Sequence, residues 1–302
     1  MGLLSNSNPL PSKPSEFELP ENITRLKNAL RACTLCPRNC RVDRSIGQRG
    51  ACGIAAEARV ASTMPHFGEE SVLVGRGGSG TIFFAGCNLH CAFCQNYDIS
   101  QTDSGRPCSP RQIAELALSL AQDGCENINF VTPTHVAHAV AEAIVLARHL
   151  GLTLPTVYNC GGYESLNTLR SLEGLIDIYM PDFKYAADAS GRTYSEVDDY
   201  PTVAAAALAE MFRQTGPLQI DQNGLARRGL LVRHLVLPHN LADSQKVIDL
   251  IAQHAPGCTV NIMAQYRHAF RAHEFPELME YPSRRDIQDL RQYADTLNLV
   301  VL

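Results

Sequence analysis

The chain of 302 residues has no excess of basic residues, no long apolar run and no export signal at its start. Its 26 lysines and arginines face 31 aspartates and glutamates, a net charge of −5, so the composition gives no general attraction to nucleic acid or anionic lipid. Its apolar runs fall short of the roughly 18 residues that cross a bilayer. The first residues also lack a basic region followed by an apolar core. We therefore expect a cytoplasmic protein that binds neither membranes nor nucleic acid.

The overall composition is that of a globular protein. Apolar residues make up 45% of the chain and charged residues 19%, which excludes a mostly disordered or collagen-like protein. The length suits two average domains or one α/β barrel. Residues 1–20 are rich in Ser, Asn and Pro without an apolar period, and this pattern predicts a flexible leader.

Cysteine is the exception to this ordinary composition. The chain has 11 cysteines, and the odd number in a chain of this size argues against a closed disulfide framework. Two groups of them have spacings that suit metal binding instead. The remaining four lack ligand spacing and are expected to be buried or surface thiols; they are Cys108, Cys125, Cys160 and Cys258.

The first group predicts a small metal-binding module over residues 21–62, entered through a helix over 21–32. Its four cysteines are Cys33, Cys36, Cys40 and Cys52. Four thiolates make a closed zinc site or hold an iron–sulfur cluster, and the spacing suits both. Because so short a segment has little apolar surface, the metal would supply much of its folding energy. A redox cluster that exchanges electrons with the rest of the protein is the alternative.

Over residues 63–302 apolar strands alternate with amphipathic helices. Strands are predicted at 81–85, 127–131, 155–158, 175–180, 230–237, 259–264 and 298–302. Helices are predicted at about 111–122, 135–149, 163–172, 202–214, 241–253 and 284–296. Strands that are apolar on both faces and separated by helices indicate an α/β fold, here a partial, open parallel barrel of about six units. Functional residues of such folds collect at the carboxyl ends of the strands.

A glycine-rich segment at residues 75–80 matches the G-x-G-x-x-G pattern of dinucleotide-binding proteins. That motif follows a strand and opens a helix, whereas this segment precedes the strand at 81–85. We therefore predict a hairpin-like turn at this position.

The second cysteine group follows the first predicted strand and consists of Cys87, Cys91 and Cys94. Three thiolates within eight residues can hold one metal centre from a single loop. They are one ligand short of a closed structural zinc site, whereas a 4Fe-4S cluster held by three cysteines keeps one iron open for another ligand. Alternatives are a zinc site completed by His66 or His90, and three buried cysteines.

This loop resembles the signature of the radical S-adenosylmethionine superfamily, Cys-x3-Cys-x-aromatic-Cys, with Phe93 at the aromatic position. The segments HFGEE (66–70), GSGTIFFAGCN (78–88) and CQN (94–96) are similar to the branch related to pyruvate formate-lyase activating enzymes, in members with an additional N-terminal cysteine cluster. The resemblance covers about residues 30–302. It implies a 4Fe-4S cluster on the three loop cysteines, S-adenosylmethionine bound at the open iron, and a 5'-deoxyadenosyl radical that abstracts hydrogen from a substrate.

Polar residues that end the second and third predicted strands are candidates for cofactor binding. Thr132 lies where related enzymes place a segment that meets the amino group of the cofactor, although a hydroxyl here serves equally well as a helix cap. Asn159 is placed to hydrogen-bond the cofactor, and the glycines at 161–162 would let the backbone approach a ligand.

Charged residues end the next two strands. The resemblance implies that Asp182 and Lys184, an Asp-x-Lys pair, contact the cofactor; an ion pair at a loop edge is the alternative. Arg233 is a candidate carboxylate clamp, although an arginine on a strand also serves as a solvated or barrel-wall residue.

The resemblance implies an activating enzyme that installs a glycyl radical on a partner protein and receives electrons from a flavodoxin- or ferredoxin-type donor. Radical modification of a small molecule or peptide is the alternative within the same chemistry. A non-catalytic iron–sulfur electron-transfer protein is the alternative from another class, although such carriers fix every iron with protein thiolates and need no barrel of this size.

Overall fold

The structure, a computed structural model, describes residues 19–302. All but the last two residues of the predicted leader over 1–20 lie outside the described residues. A ten-stranded sheet forms the centre. Its strands are β1 (Ala58–His66), β2 (Ser79–Phe84), β3 (Arg106–Cys108), β4 (Ile128–Val131), β5 (Thr156–Cys160), β6 (Ile178–Pro181), β7 (Gln219–Ile220), β8 (Ala226–Leu235), β9 (Thr259–Met263) and β10 (Val300–Val301).

Helices connect most of these strands. The α-helices are α1 (Glu21–Asn28), α2 (Ser71–Val74), α3 (Tyr97–Ser100), α4 (Pro110–Gln122), α5 (Ala137–His149), α6 (Leu166–Ser171), α7 (Asp188–Ser195), α8 (Tyr200–Thr215), α9 (Ser244–His254) and α10 (Arg284–Thr296). Short 3-10 helices cover Ala29–Ala32, Arg44–Ile46, Thr134–Val136, Pro238–Asn240, Ala272–Glu274 and Pro276–Met279. Over residues 19–302, every helix is too short or too polar to cross a membrane.

The α/β class and the parallel sheet predicted from the sequence are confirmed. β2, β4, β5, β6, β8, β9 and β10 are parallel neighbours in that order. They correspond to the seven predicted strands. β1 pairs antiparallel with β2 and carries β3 at its outer edge. The pattern of buried, apolar strands missed β1 because its second half contains no fully buried residue, and missed β3 because it has only three residues.

The glycine-rich segment at 75–80 follows α2, and its last two residues begin β2. It belongs to the connection between two antiparallel strands, β1 and β2. It does not open a helix after a strand, as a dinucleotide-binding motif would. The predicted turn is therefore confirmed.

The N-terminal region shares the hydrophobic core of the barrel. Ile23 and Leu26 of α1 belong to one continuous cluster of buried apolar side chains with Ile144 of α5. Polar contacts add to this packing: the Thr168 hydroxyl of α6 donates to the Leu35 carbonyl at 2.8 Å. β1 also runs through residue 62, where the sequence places a domain boundary.

Register brings the carboxyl ends of the central strands to one edge of the sheet. Phe83 pairs with Val131, which pairs with Asn159 on the next strand. Asp182, directly after β6, forms a bridge with Arg233 of β8. The polar residues that end the predicted strands are therefore neighbours in space.

Gly162 permits a close approach between the ends of β5 and β6. Its φ is +80°, and a Cβ at this position would lie 2.1 Å from the Asp182 carbonyl oxygen. Gly257, after α9, also has a positive φ, +72°, but a Cβ there would meet nothing within 4 Å. Substitutions at the two glycines therefore distinguish the free-energy cost of a positive φ from the cost of steric crowding.

We expect Gly162→Ala to lower the free energy of unfolding more than Gly257→Ala does. The control bears only the left-handed backbone cost of about 1–2 kcal/mol, whereas Gly162→Ala adds overpacking of about 1–3 kcal/mol. Denaturant unfolding of both variants measures the difference. Equal losses would show that the end of β6 moves aside freely.

Glu164, after β5, is a buried carboxyl group that the sequence analysis overlooked. It is 2% exposed. The Thr134 hydroxyl donates to its Oε1 at 2.5 Å and the Tyr158 hydroxyl to its Oε2 at 3.2 Å. Burial raises its pKa to about 7, although these hydrogen bonds act in the opposite direction. The neutral form is therefore favoured in the fold relative to the unfolded chain.

Because the folded pKa lies above the ordinary value of 4.5, this group makes the fold less stable as the pH rises from about 4.5 through 7. Glu164→Gln removes the titration. We expect the free energy of unfolding of the unmodified protein to fall by about 1 kcal/mol more than that of the variant between pH 6 and pH 9. Denaturant unfolding at both pH values measures this; parallel pH dependences would contradict it.

Candidate active site

The three-cysteine loop connects β2 with α3 and holds its thiols by local hydrogen bonds. The Leu89 amide donates to Cys87 Sγ at 3.4 Å. Cys91 Sγ lies 3.0 Å from the Ser195 hydroxyl, and Cys94 Sγ lies 3.1 Å from the Ser100 hydroxyl. Burial raises the pKa of Cys87 and of Cys91 above the ordinary thiol value. In the absence of a bound cation these thiols are therefore protonated at neutral pH.

All three loop cysteines line a cavity of about 380 Å³ at the carboxyl edge of the sheet. The six other residues that the sequence analysis placed around the cofactor line the same cavity: Phe93, Thr132, Asn159, Asp182, Lys184 and Arg233. Its volume lies in the range of small-molecule sites. The fold thus brings the predicted candidates from the loop and from four strand ends into one place.

Asp182 is the centre of a charged network in this cavity. Its carboxylate accepts from Lys184 Nζ at 2.7 Å and from Arg233 at 2.9 Å. Burial alone would raise its pKa, but the guanidinium and the ammonium group outweigh burial and hold the pKa below the ordinary value. Arg233 also donates to the Asn159 side-chain oxygen at 2.7 Å. The predicted ion pair at a loop edge is present, and it faces the cavity.

Two glutamates from the connection between β1 and α2 complete this network. Glu69 lies 3.5 Å from Arg233 and accepts a hydrogen bond of 3.3 Å from the Asn159 amide. Glu70 accepts from the Asn261 amide of β9 at 2.6 Å, and burial raises its pKa. Both residues belong to the HFGEE segment, and their position beside the strand ends depends on β1, a strand that the sequence pattern does not predict.

Thr132 adopts a rare backbone conformation. Its φ is +58°, which is unusual for a β-branched residue. Its amide donates to the Asn159 carbonyl at 2.9 Å, which ties the ends of β4 and β5 together. The alternative role as a helix cap is not seen, because the following 3-10 helix has Pro133 at its N-cap and lacks a side-chain cap. Strained residues of this kind cluster at functional sites.

Phe93 fixes the loop by aromatic packing. Its ring meets Tyr185 at 6.3 Å and Tyr266 at 6.2 Å, both edge to face. It is buried, and its ring also lines the cavity. The aromatic residue thus positions the loop that carries the cysteines.

The other predicted metal ligands occupy different surroundings. None of the four N-terminal cysteines lines the 380 Å³ cavity. His66 lines the cavity, whereas His90 forms a 2.9 Å hydrogen bond with Gln101. Within residues 19–302, no three His, Cys, Asp or Glu side chains are grouped to hold a single metal ion.

Comparisons with known proteins find a family match and relatives of this chain. Residues 81–197, which include the three-cysteine loop, match the family model of the Radical SAM superfamily. The uncharacterized protein MJ0674 of Methanocaldococcus jannaschii is 30% identical over 295 residues, 95% of this chain and 80% of that protein. A second protein of that organism, the uncharacterized protein MJ0808, is 24% identical over 52% of this chain and 50% of its own length.

Among solved structures, the radical S-adenosylmethionine methyltransferase TsrM from Kitasatospora setae, with tryptophan and aza-SAM bound, gives a TM-score of 0.47 at 16% identity over 64% of this chain. The chain spans 37% of the length of that protein. QueE from Escherichia coli gives a TM-score of 0.42 at 11% identity, over 81% of this chain and 92% of that chain. The family model decides the assignment: residues 81–197 form a domain of the radical SAM superfamily, whose cofactors are a 4Fe-4S cluster and S-adenosylmethionine.

Proposed function

We propose that this cytoplasmic protein holds its 4Fe-4S cluster on Cys87, Cys91 and Cys94 and cleaves S-adenosylmethionine reductively in the adjoining cavity. The observation that carries the proposal is that the three thiols and the network of Asp182 and its partners line one cavity. When bound, these cofactors would supply a 5'-deoxyadenosyl radical for the abstraction of hydrogen from a substrate. The protein's own part is to bind, orient and shield them.

The donor set of the loop fits a cluster with one open iron. Three thiols lie on one loop, and no fourth cysteine ligand is needed from that loop when another molecule takes the open position. The hydroxyls of Ser195 and Ser100 and the Leu89 amide lie against the sulfur atoms. Such contacts offset the cost of burying negative charge on thiolates.

The charged network fits the amino acid part of S-adenosylmethionine, which carries an ammonium and a carboxylate group. Arg233 and Lys184 are cations, and Asp182 and Glu69 are carboxylates, so the four side chains balance one another before a ligand binds. A zwitterionic ligand that binds in this network meets both hydrogen-bond donors and acceptors. Its binding therefore leaves no buried charge unpaired. Asn159 and the backbone around Thr132 add neutral hydrogen-bonding groups.

For the substrate, we propose the backbone glycine of a glycyl-radical enzyme, with a flavodoxin- or ferredoxin-type protein as the electron donor. The resemblance of residues 66–96 to the activating enzymes supports this choice. The cavity also has an exposed rim, at Gly68, Asn96 and Gln265, through which a loop of a partner protein could enter. Radical modification of a small molecule or peptide is the alternative outcome of a substrate search.

We expect the reconstituted, reduced protein to release 5'-deoxyadenosine from S-adenosylmethionine under anaerobic conditions. Cys87/Cys91/Cys94→Ala should abolish this release, because the cavity then lacks the ligands of the cluster. Cys125→Ala, a buried cysteine outside both groups, is the matched control and should retain it. Chromatography of the nucleoside products gives the measurement.

Release by the triple variant would refute the assignment of the loop. A fully loaded protein that releases no 5'-deoxyadenosine, with or without glycyl-radical proteins, would favour the electron-transfer alternative.

Arg233→Gln should weaken the binding of S-adenosylmethionine by about tenfold to a hundredfold, the effect of losing a charged hydrogen bond. Arg148→Gln is the control, because Arg148 forms a comparable 3.0 Å pair with Asp177 at the start of β6, away from the cavity. Equilibrium dialysis of the cluster-loaded variants measures the two affinities. Equal weakening by both substitutions would indicate a general effect on stability instead.

A further inference from the structure

The N-terminal region contains a buried arginine without an anionic partner. Arg44, in the 3-10 helix Arg44–Ile46, is 1% exposed. Its guanidinium donates to the Ala55 carbonyl at 2.7 Å and to the His135 carbonyl at 2.7 Å, and both acceptors are neutral. Its remaining polar neighbour is Cys33 Sγ, 3.7 Å from Nη1. A fully buried cation with only neutral partners is costly, and native proteins almost always pair it.

Nearby titratable groups do not supply the missing charge. Burial, reinforced by Arg44 itself, lowers the pKa of His135 and of His138 to about 3, so both rings are neutral at physiological pH. No carboxylate of residues 19–302 forms an ion pair with Arg44. The groups able to become anions beside it are the thiols.

Two of the four N-terminal cysteines, Cys33 and Cys52, lie close enough to Arg44 to interact with its charge. The other two interact with these: Cys36 with Cys33 and Cys52, and Cys40 with Cys52. The Ala51 amide donates to Cys40 Sγ at 3.3 Å. Because cysteines bind metals as thiolates, a metal centre on these cysteines would supply the negative charge that Arg44 lacks.

We propose that Cys33, Cys36, Cys40 and Cys52 hold a second iron–sulfur cluster as thiolates, with Arg44 as its buried counter-charge. The choice of a cluster over zinc follows from its position, because the module adjoins the loop that carries the first cluster and a redox centre there can exchange electrons with it. A zinc site with four thiolates is the other outcome of the test.

The second site adjoins the loop of the first. A Cβ on Gly86, the residue before Cys87, would lie 2.6 Å from the Cys52 carbonyl oxygen. On the other side of the module, Arg38 donates to the Asn88 carbonyl at 2.8 Å. The backbone at Cys52 therefore lies against the turn that leads into Cys87.

The test counts metal in a protein that lacks the first cluster. After anaerobic reconstitution with iron and sulfide, the full chain should bind about eight irons and Cys87/Cys91/Cys94→Ala about four. The variant should keep the visible absorbance of a cluster and give an electron paramagnetic resonance signal after reduction by dithionite. This result does not depend on cleavage of S-adenosylmethionine, so failure of this proposal is distinguishable from failure of the proposed function.

Cys40→Ala and Cys52→Ala, added to the triple variant, should remove the remaining iron, while Cys125→Ala added to it should not. Both replaced cysteines are only half-buried, which favours retention of the fold. Circular dichroism and unfolding confirm that the variants are folded. Zinc without iron in the anaerobically purified triple variant, absence of both metals after reconstitution, or iron that survives the Cys40 and Cys52 changes would each overturn the proposal.

Arg44 is tested by the reduction potential of the second cluster. In the triple variant, Arg44→Met should shift this potential to a more negative value, because a nearby cation stabilises the more negative, reduced cluster. Arg44→Lys should restore the potential in part. A purely structural arginine would leave the potential of the folded, loaded protein unchanged, and that result would refute its role as the counter-charge.

Discussion

The active site depends on the alignment of the carboxyl ends of parallel strands, and the contact between Asp182 and Arg233 shows how that alignment is maintained. The backbones of these residues form a bridge between the end of β6 and β8. Their side chains form an ion pair across the same place, at 2.9 Å. The Asp182 amide also bonds the Cys160 carbonyl of β5 at 2.9 Å. The same two residues thus fix the register of the strands and form the ion pair of the site, so a change of register would also change the site.

Much of this site could be predicted because its residues lie at the ends of strongly apolar strands. The spacing of the three loop cysteines and the polar residues Asn159, Asp182 and Arg233 are local signals, and the rule for parallel sheets brings them together. Glu69 could not be found in this way. It comes from a connection after β1, a half-exposed edge strand without a clear pattern, and it reaches Arg233 only through the tertiary fold.

Arg44 and Glu164 show a second limit of sequence reasoning. Each is a charged residue type in an ordinary polar segment, and nothing in the neighbouring residues indicates that it is buried. Their importance follows from the partners that the fold supplies or withholds: two hydroxyl groups for Glu164, and only neutral carbonyls and a thiol for Arg44. Burial of a charged group becomes informative only when its partners are known.

The contact between the two cysteine groups places a physical constraint on the whole N-terminal region. Gly86 has a φ of +80° and no room for a side chain against Cys52. The turn that leads into Cys87 is therefore shaped by the module that precedes β1. α1 of the same region packs into the hydrophobic core together with α5. The module therefore contacts the rest of the protein both through α1 and through Cys52. The position of the first loop cysteine therefore depends on the N-terminal module as well as on the end of β2.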